Sequence, residues 1–157
     1  MAEKKEVILS KEYLEKLEDE LEYLKTKRRP EIAEKIKVAR SFGDLSENAD
    51  YDEAKNEQGE VEFRIAKVED MIRHAITFEE NKNAEEVGVG NTVVIYDEEF
   101  DEDMEYKIVG TAESNPLEGF ISNESPVGSA LLGRKVGDRV ETNTPQGKVY
   151  YTIKEIR

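Results

Sequence analysis

A chain of 157 residues that is 38% charged and only 37% apolar is lopsided for a compact globule, where about a quarter of residues carry charge, so much of it must be surface. The formal net charge of -14 lacks the basic footprint of a free nucleic-acid binder, which argues against independent DNA binding and favours a basic protein surface as partner. With no cysteine, disulfides, cysteine-based zinc sites and thiol catalysis are ruled out.

No apolar run follows Met1-Ala2-Glu3-Lys4-Lys5, and no stretch approaches the ~20 apolar residues of a membrane span, so the expectation is a soluble, cytoplasmic protein. After the short apolar patch Val7-Ile8-Leu9, Ser10 is placed to cap a helix. Leu14, Leu17, Leu21 and Leu24 then recur at steps of three and four, with Glu and Lys filling most of the gaps, which is a coiled-coil seam. The seam stumbles at Lys27-Arg28-Arg29-Pro30 and resumes with Ile32-Ala33, Ile36 and Ala39. Pro30 lacks a backbone donor and predicts a kink or brief break. From Lys11 to Phe42, at ~1.5 Å per residue, the arm would reach roughly 45 Å.

Phe42-Gly43-Asp44-Leu45-Ser46-Glu47-Asn48-Ala49-Asp50-Tyr51 is a polar tip between two helical periodicities. Gly43 follows the first run as at many helix C-termini, and Asn48 can cap the second. Asp44 and Glu47, three apart in a turn held at both ends, can converge on one hard cation or face one partner. Spacing alone favours the plainer reading, a solvated hairpin turn. Beyond the tip, Ala54, Gln58, Val61, Ile65, Val68 and Ile72 step by four, three, four, three and four, giving the cleanest heptad in the chain. Its seam ends near Ala75-Ile76, so the two arms form an antiparallel hairpin. Gln58 and the adjacent Gly59 weaken that seam, and nothing in the sequence explains them. Basic residues gather on the tip-ward half of the first arm as Lys25, Lys27, Arg28, Arg29, Lys35, Lys37 and Arg40. They read either as a solvated face with pairs such as Glu31 to Lys35 or as a patch that meets phosphate. The lone His74 has no neighbour at ligand spacing and reads as a surface or packing residue.

From Glu79 to Gly90 the heptads give way to Asn, Glu and Gly, a linker, so the domains are expected to be 1–79 and 80–157. Runs rich in β-branched and aromatic residues follow at Thr92 to Tyr96, Glu105 to Val109, Gly119 to Ser122, Arg139 to Thr142 and Lys148 to Ile156. These predict an antiparallel sheet. Ser125 as N-cap, Pro126 at the first helical position, Ala130-Leu131-Leu132 and the stop at Gly133 predict one short helix among them. The fold class is therefore α+β, a coiled-coil hairpin followed by a small sheet domain.

Gly43-Asp44-Leu45-Ser46-Glu47-Asn48-Ala49-Asp50-Tyr51 with Glu53-Ala54-Lys55, then Ser125-Pro126-Val127-Gly128-Ser129-Ala130-Leu131-Leu132-Gly133 and Thr144-Pro145-Gln146-Gly147, resemble the Gre family of bacterial transcript cleavage factors, in its GreA type. The resemblance covers nearly the whole chain in the family's order. It implies an FKBP-like second domain that docks on the rim of the secondary channel of bacterial RNA polymerase while the hairpin enters it. There the tip would stimulate the polymerase's own cleavage of backtracked RNA at the nascent 3′ end. On this reading the chain is an accessory factor and not itself an enzyme. Asp44 and Glu47 match the family's acidic pair and would share a Mg²⁺ with the polymerase, with none held by the free protein. Arg40 and Lys55 match its basic tip residues, Ser46 and Tyr51 fall on the tip motif, and Ser122, Ser125 and Pro126 match the docking loop. The free protein is expected to be a monomer.

Rival readings keep their own tests. A Gre-like inhibitor would occupy the same channel without promoting cleavage. An FKBP-like prolyl isomerase or chaperone rests on fold analogy alone, and the domain is poor in aromatics for a prolyl pocket. A coiled-coil adaptor without chemistry would be indifferent to charge changes at the tip.

Overall fold

The computed structural model describes residues 6–43, 48–79 and 81–157. They form two compact units, one of Leu14–His74 and one that joins the chain up to Tyr13 with Ala75–Arg157. Composition marks a linker after Glu79, yet the contacts give the sheet unit both flanks of the hairpin. The reason is a pairing of remote apolar runs: β1 (Val7–Leu9) lies parallel to β2 (Ala75–Thr77), with Ile8 opposite Ile76.

In the helical unit, α1 (Lys11–Tyr23), a π-helical turn (Leu24–Arg28) and α2 (Arg29–Ser41) follow one another without a gap, and α3 (Ala49–Arg73) packs back along α2. Leu17, Leu24, Ile32, Ile36 and Ala39 are buried, against Ala54, Val61, Ile65 and Val68 from α3. Ala33, read with the seam, is exposed. The stumble in the first arm now has a geometry. A strict repeat continued from Leu24 would bury positions 28, 31, 35 and 38, but the buried residues are Ile32, Ile36 and Ala39, one residue late. The π-turn absorbs that extra residue, since the Arg29 N–H donates to the Leu24 carbonyl five residues back. Pro30 then stands in the first turn of α2, where a missing N–H costs least. The expected break is thus a widened turn.

The other unit is a five-stranded sheet in the order β5-β4-β3-β7-β6. Its strands are β3 (Thr92–Asp97), β4 (Glu102–Val109), β5 (Phe120–Ser122), β6 (Arg139–Thr144) and β7 (Gly147–Ile156). The pairings are antiparallel except at one edge, where β5 runs parallel to β4 with Ile121 opposite Ile108. Two single-turn helices, Thr111–Glu113 and Pro116–Glu118, carry the chain across for that parallel return. Alternation along β3 and β7 puts Val93, Ile95, Tyr151 and Ile153 on the buried face, where they meet Ile108, Val140 and Leu131 of α4 (Pro126–Leu131). Each aliphatic side chain fully buried there contributes about 1.5–3 kcal/mol relative to exposure.

Two contacts dock β1 onto this unit. Ser10 caps α1, accepting from the Tyr13 N–H at 3.1 Å, while its own hydroxyl donates to the Glu113 carboxylate at 2.8 Å. Gly110 lies against the β1 backbone so closely that a Cβ there would sit 2.0 Å from the Ile8 carbonyl oxygen.

Candidate functional site

The tip is built from two helix ends. The last carbonyls of α2 have no partner within their own helix, and the first amides of α3 need acceptors. Asn48 serves both: its Nδ2 donates to the Ala39 carbonyl at 2.6 Å, and its Oδ1 accepts from the Tyr51 N–H at 3.1 Å. On the other side Gly43 adopts a φ of 100°, a left-handed conformation that turns the chain out of α2, and its N–H donates to the Arg40 carbonyl at 3.3 Å. Residues 43 and 48 are therefore both fixed to the end of α2. Asp44, Ser46 and Glu47 lie between them, outside the described residues.

The flanking basic and aromatic positions do come together. The Arg40 guanidinium lies over the Tyr51 ring at 6.0 Å from its centroid, at the outer range of a cation–π contact. Lys55 is one turn beyond Tyr51 and donates to the Gln58 side chain at 3.0 Å. That bond gives the half-buried Gln58 a polar role on the seam. Among the described residues, no group of three or more His, Asp or Glu side chains can hold a metal ion.

Loss of the Asn48 bridge is expected to loosen this end. Asn48→Ala removes a helix cap, which costs about 1 kcal/mol, together with the bond to Ala39. Asn48→Asp keeps the acceptor for Tyr51 but cannot donate to Ala39, so its melting temperature should fall between those of Asn48→Ala and the parent. An aspartate variant as stable as the parent would show that the Ala39 bond contributes nothing.

Four of the seven basic residues of the first arm, Lys25, Arg28, Arg29 and Lys35, are committed across the hairpin, a third outcome beside the two read from sequence. Arg28 and Lys35 both reach Glu57, at 3.3 and 3.0 Å, Arg29 makes a forked contact to Glu62 at 2.8 and 2.9 Å, and Lys25 meets Glu69 at 2.7 Å. Arg64 grips Glu20 in the opposite sense at 2.6 and 2.9 Å. The hydrogen bond from Lys35 is the main reason the Glu57 carboxyl is held below the ordinary range, and Arg64 and Lys25 do the same for Glu20 and Glu69. Lys25, Arg29 and Lys35 meet Glu69, Glu62 and Glu57 in turn, partners that fall in number on one arm as they rise on the other, the mark of an antiparallel register. That signal was present in the spacing of Glu57, Glu62 and Glu69, but it cannot be decoded before the extra residue of the π-turn is known.

In the sheet unit, Ser125 spends its hydroxyl internally, donating to the Ser122 carbonyl at 2.6 Å and accepting from the Gly128 N–H at 3.0 Å. Ser122 Oγ is 2.8 Å from the Thr111 hydroxyl and accepts from the Glu124 N–H at 3.0 Å. Both serines are half-buried and shape the loop, while Pro126 is exposed on it.

The sequence has known relatives over its whole length. A family model described as transcription elongation factor, N-terminal, matches residues 7–76, and one described as transcription elongation factor, GreA/GreB, C-term, matches residues 81–157. The chain belongs to the GreA/GreB family. Within it, the transcription elongation factor GreA of Clostridium acetobutylicum is 53% identical over 158 residues, covering 100% of both chains. GreA of Thermoanaerobacter pseudethanolicus is 56% identical over 154 residues, covering 98% of each. The crystal structure of GreA factor homolog 1 of Thermus thermophilus is 32% identical, covers 98% of this chain and 99% of that one, and superposes with a TM-score of 0.45. For a GreA/GreB chain, the α+β reading and the hairpin-then-sheet order made from the sequence hold. No helix among the described residues is long and apolar enough to cross a membrane.

Proposed function

We propose that this GreA/GreB family member is an accessory factor of bacterial RNA polymerase that stimulates the polymerase's own cleavage of backtracked RNA. The observation that best supports this reading is the double anchorage of the tip. Gly43 and Asn48, which flank the Asp44 to Glu47 stretch in sequence, are both tied to the end of α2, where Arg40 meets Tyr51. Such a hairpin has a use for acids at its tip only if something else supplies the substrate and the rest of a metal site. Mg²⁺ takes six oxygens and is commonly held by one or two carboxylates with phosphate oxygens and waters. Asp44 and Glu47 suit it as partial ligands, contributing to an ion shared with the polymerase and absent from the free protein. That ion would stabilise charge developing on the phosphodiester.

The chain's own residues do the rest by position. Arg40 and Lys55 steady RNA phosphates near the nascent 3′ end, Ser46 and Tyr51 support the tip, and the loop of Ser122, Ser125 and Pro126 contacts the polymerase surface, with the exposed Pro126 as its leading residue. The net charge of -14 suits a basic channel mouth. The factor acts as a cytoplasmic monomer. Adding it to a stalled, backtracked elongation complex tests the reading: shortened nascent RNA is expected, whereas slowed synthesis with uncut RNA would identify an inhibitor instead.

A further inference from the structure

At the end of the sheet where β3 passes into β4 and β6 turns into β7, a cleft of about 540 Å³ opens, lined among others by Asp97, Phe100, Pro145, Val149, Tyr150 and Tyr151. It is remote from the Ser122 to Pro126 loop, because β5 pairs with the far end of β4, where Ser122 lies opposite Val109. Nothing in the proposed function uses it.

Its inner wall holds a largely buried carboxylate. Asp97 is only 3% exposed. One oxygen accepts from the Glu99 and Phe100 N–H groups at 2.8 and 3.3 Å, and the other has no donor among the described residues. No described cation pairs with Asp97, and the neighbouring Glu98 is already taken by Arg139 at 2.8 and 2.9 Å. Thr142 Oγ1 is the buried side-chain atom without a partner among the described residues, so the second Asp97 oxygen is open to the cleft and free to accept from a visiting donor. Tyr151, opposite Asp97 in the β3–β7 register, records the same field: burial and then the Asp97 charge push its hydroxyl above the ordinary phenol range.

The outer wall is aromatic and shows what it accepts. Phe100 is 69% exposed, and on Tyr150 the chain's own Arg139 already stacks, its guanidinium 4.0 Å from the ring centroid. A planar cation with several donors fits both walls, stacking on Phe100 while its fork reaches the open oxygen of Asp97. An ammonium would satisfy the charge but not the stacking. We infer that this cleft is a docking pocket for an arginine side chain presented by a basic partner protein, anchored on Asp97 and Phe100. The excess of acidic residues over the whole chain favours a partner of that charge.

The test titrates the full chain with a blocked glycine-arginine-glycine tripeptide, following amide resonances by NMR. Saturable shifts confined to residues 97–100 and 145–151 are expected. The tripeptide carrying citrulline, the neutral isostere, should give none. Asp97→Asn keeps the acceptor that holds the turn, and Phe100→Ala removes an exposed ring, so both should stay folded and each should weaken binding about tenfold. Equal binding of the citrulline peptide, or unchanged affinity in both variants, would overturn the inference. Free arginine, whose α-carboxylate is repelled by Asp97 and Glu99, should bind more weakly than the tripeptide; tighter binding would reassign the cleft to the free amino acid. None of these outcomes depends on transcript cleavage.

Discussion

Asp44→Ala and Glu47→Ala, made singly, are each expected to lower stimulated transcript cleavage by at least about 100-fold while leaving association with polymerase nearly intact. The magnitude follows from what the acids are asked to do. A group aimed at charge that develops only during reaction is worth about 100- to 1,000-fold when removed. A group that merely adds to binding would lower affinity instead. If the acids act by holding a shared Mg²⁺, raising the Mg²⁺ concentration should restore part of the cleavage lost in Glu47→Ala. If they act only as charges against a basic surface, added Mg²⁺ should screen the contact and weaken it further. The pair of assays therefore separates a ligand from an electrostatic anchor. Full cleavage activity in both variants would sink the mechanism, and Asn48→Ala provides the control for a tip that is intact in charge but loosened at its base.

The second large effect concerns folding. Gly110→Ala should destabilise the sheet unit by about 3 kcal/mol, the upper part of the range for forced overpacking. The added carbon would meet a main-chain carbonyl, that of Ile8, at 2.0 Å, and neither backbone can rotate away as a side chain would. Displacement of β1 from Gly110 is the available relief, which would strain its pairing with β2 and stretch the Ser10 to Glu113 bond. A thermal melt should show a fall of roughly 6–12 °C for a chain of this size. A change of under a degree would mean that β1 can shift without loss and that its docking adds little to stability.

The particular residues show where a sequence is readable. Heptad steps along α3 placed Ala54, Val61, Ile65 and Val68 in the seam because helical burial repeats locally and needs no knowledge of the partner. Strand positions were equally plain, as were Ser125 and Asn48 as caps, since each rests on neighbours a few residues away. What escaped was long-range. The pairing of Val7–Leu9 with Ala75–Thr77 joins segments nearly seventy positions apart in three-residue runs too short to carry a period. The parallel edge at β5 depends on how two single-turn helices fold the connection. Asp97 looked like one acid in a run of acids, and only the closing of two remote turns around it set it apart. Three of the domain's few aromatics, Phe100, Tyr150 and Tyr151, line that one cleft, a matter of topology and not of composition.

The π-turn has a consequence for how the hairpin is aimed. One residue of an α-helix corresponds to about 100° of rotation about its axis. By accommodating a supernumerary residue between Leu24 and Arg29 in one wide turn, the first arm keeps the buried stripe of α2 in line with that of α1 although its apolar residues come one position late in the sequence. Were the same residue wound into an ordinary α-helix, Arg40 and the anchor at Ala39 would be rotated by about 100°, away from Tyr51 and Asn48. The apparent flaw in the repeat thus acts as an indexing step that keeps Ala39 and Arg40 facing the start of α3.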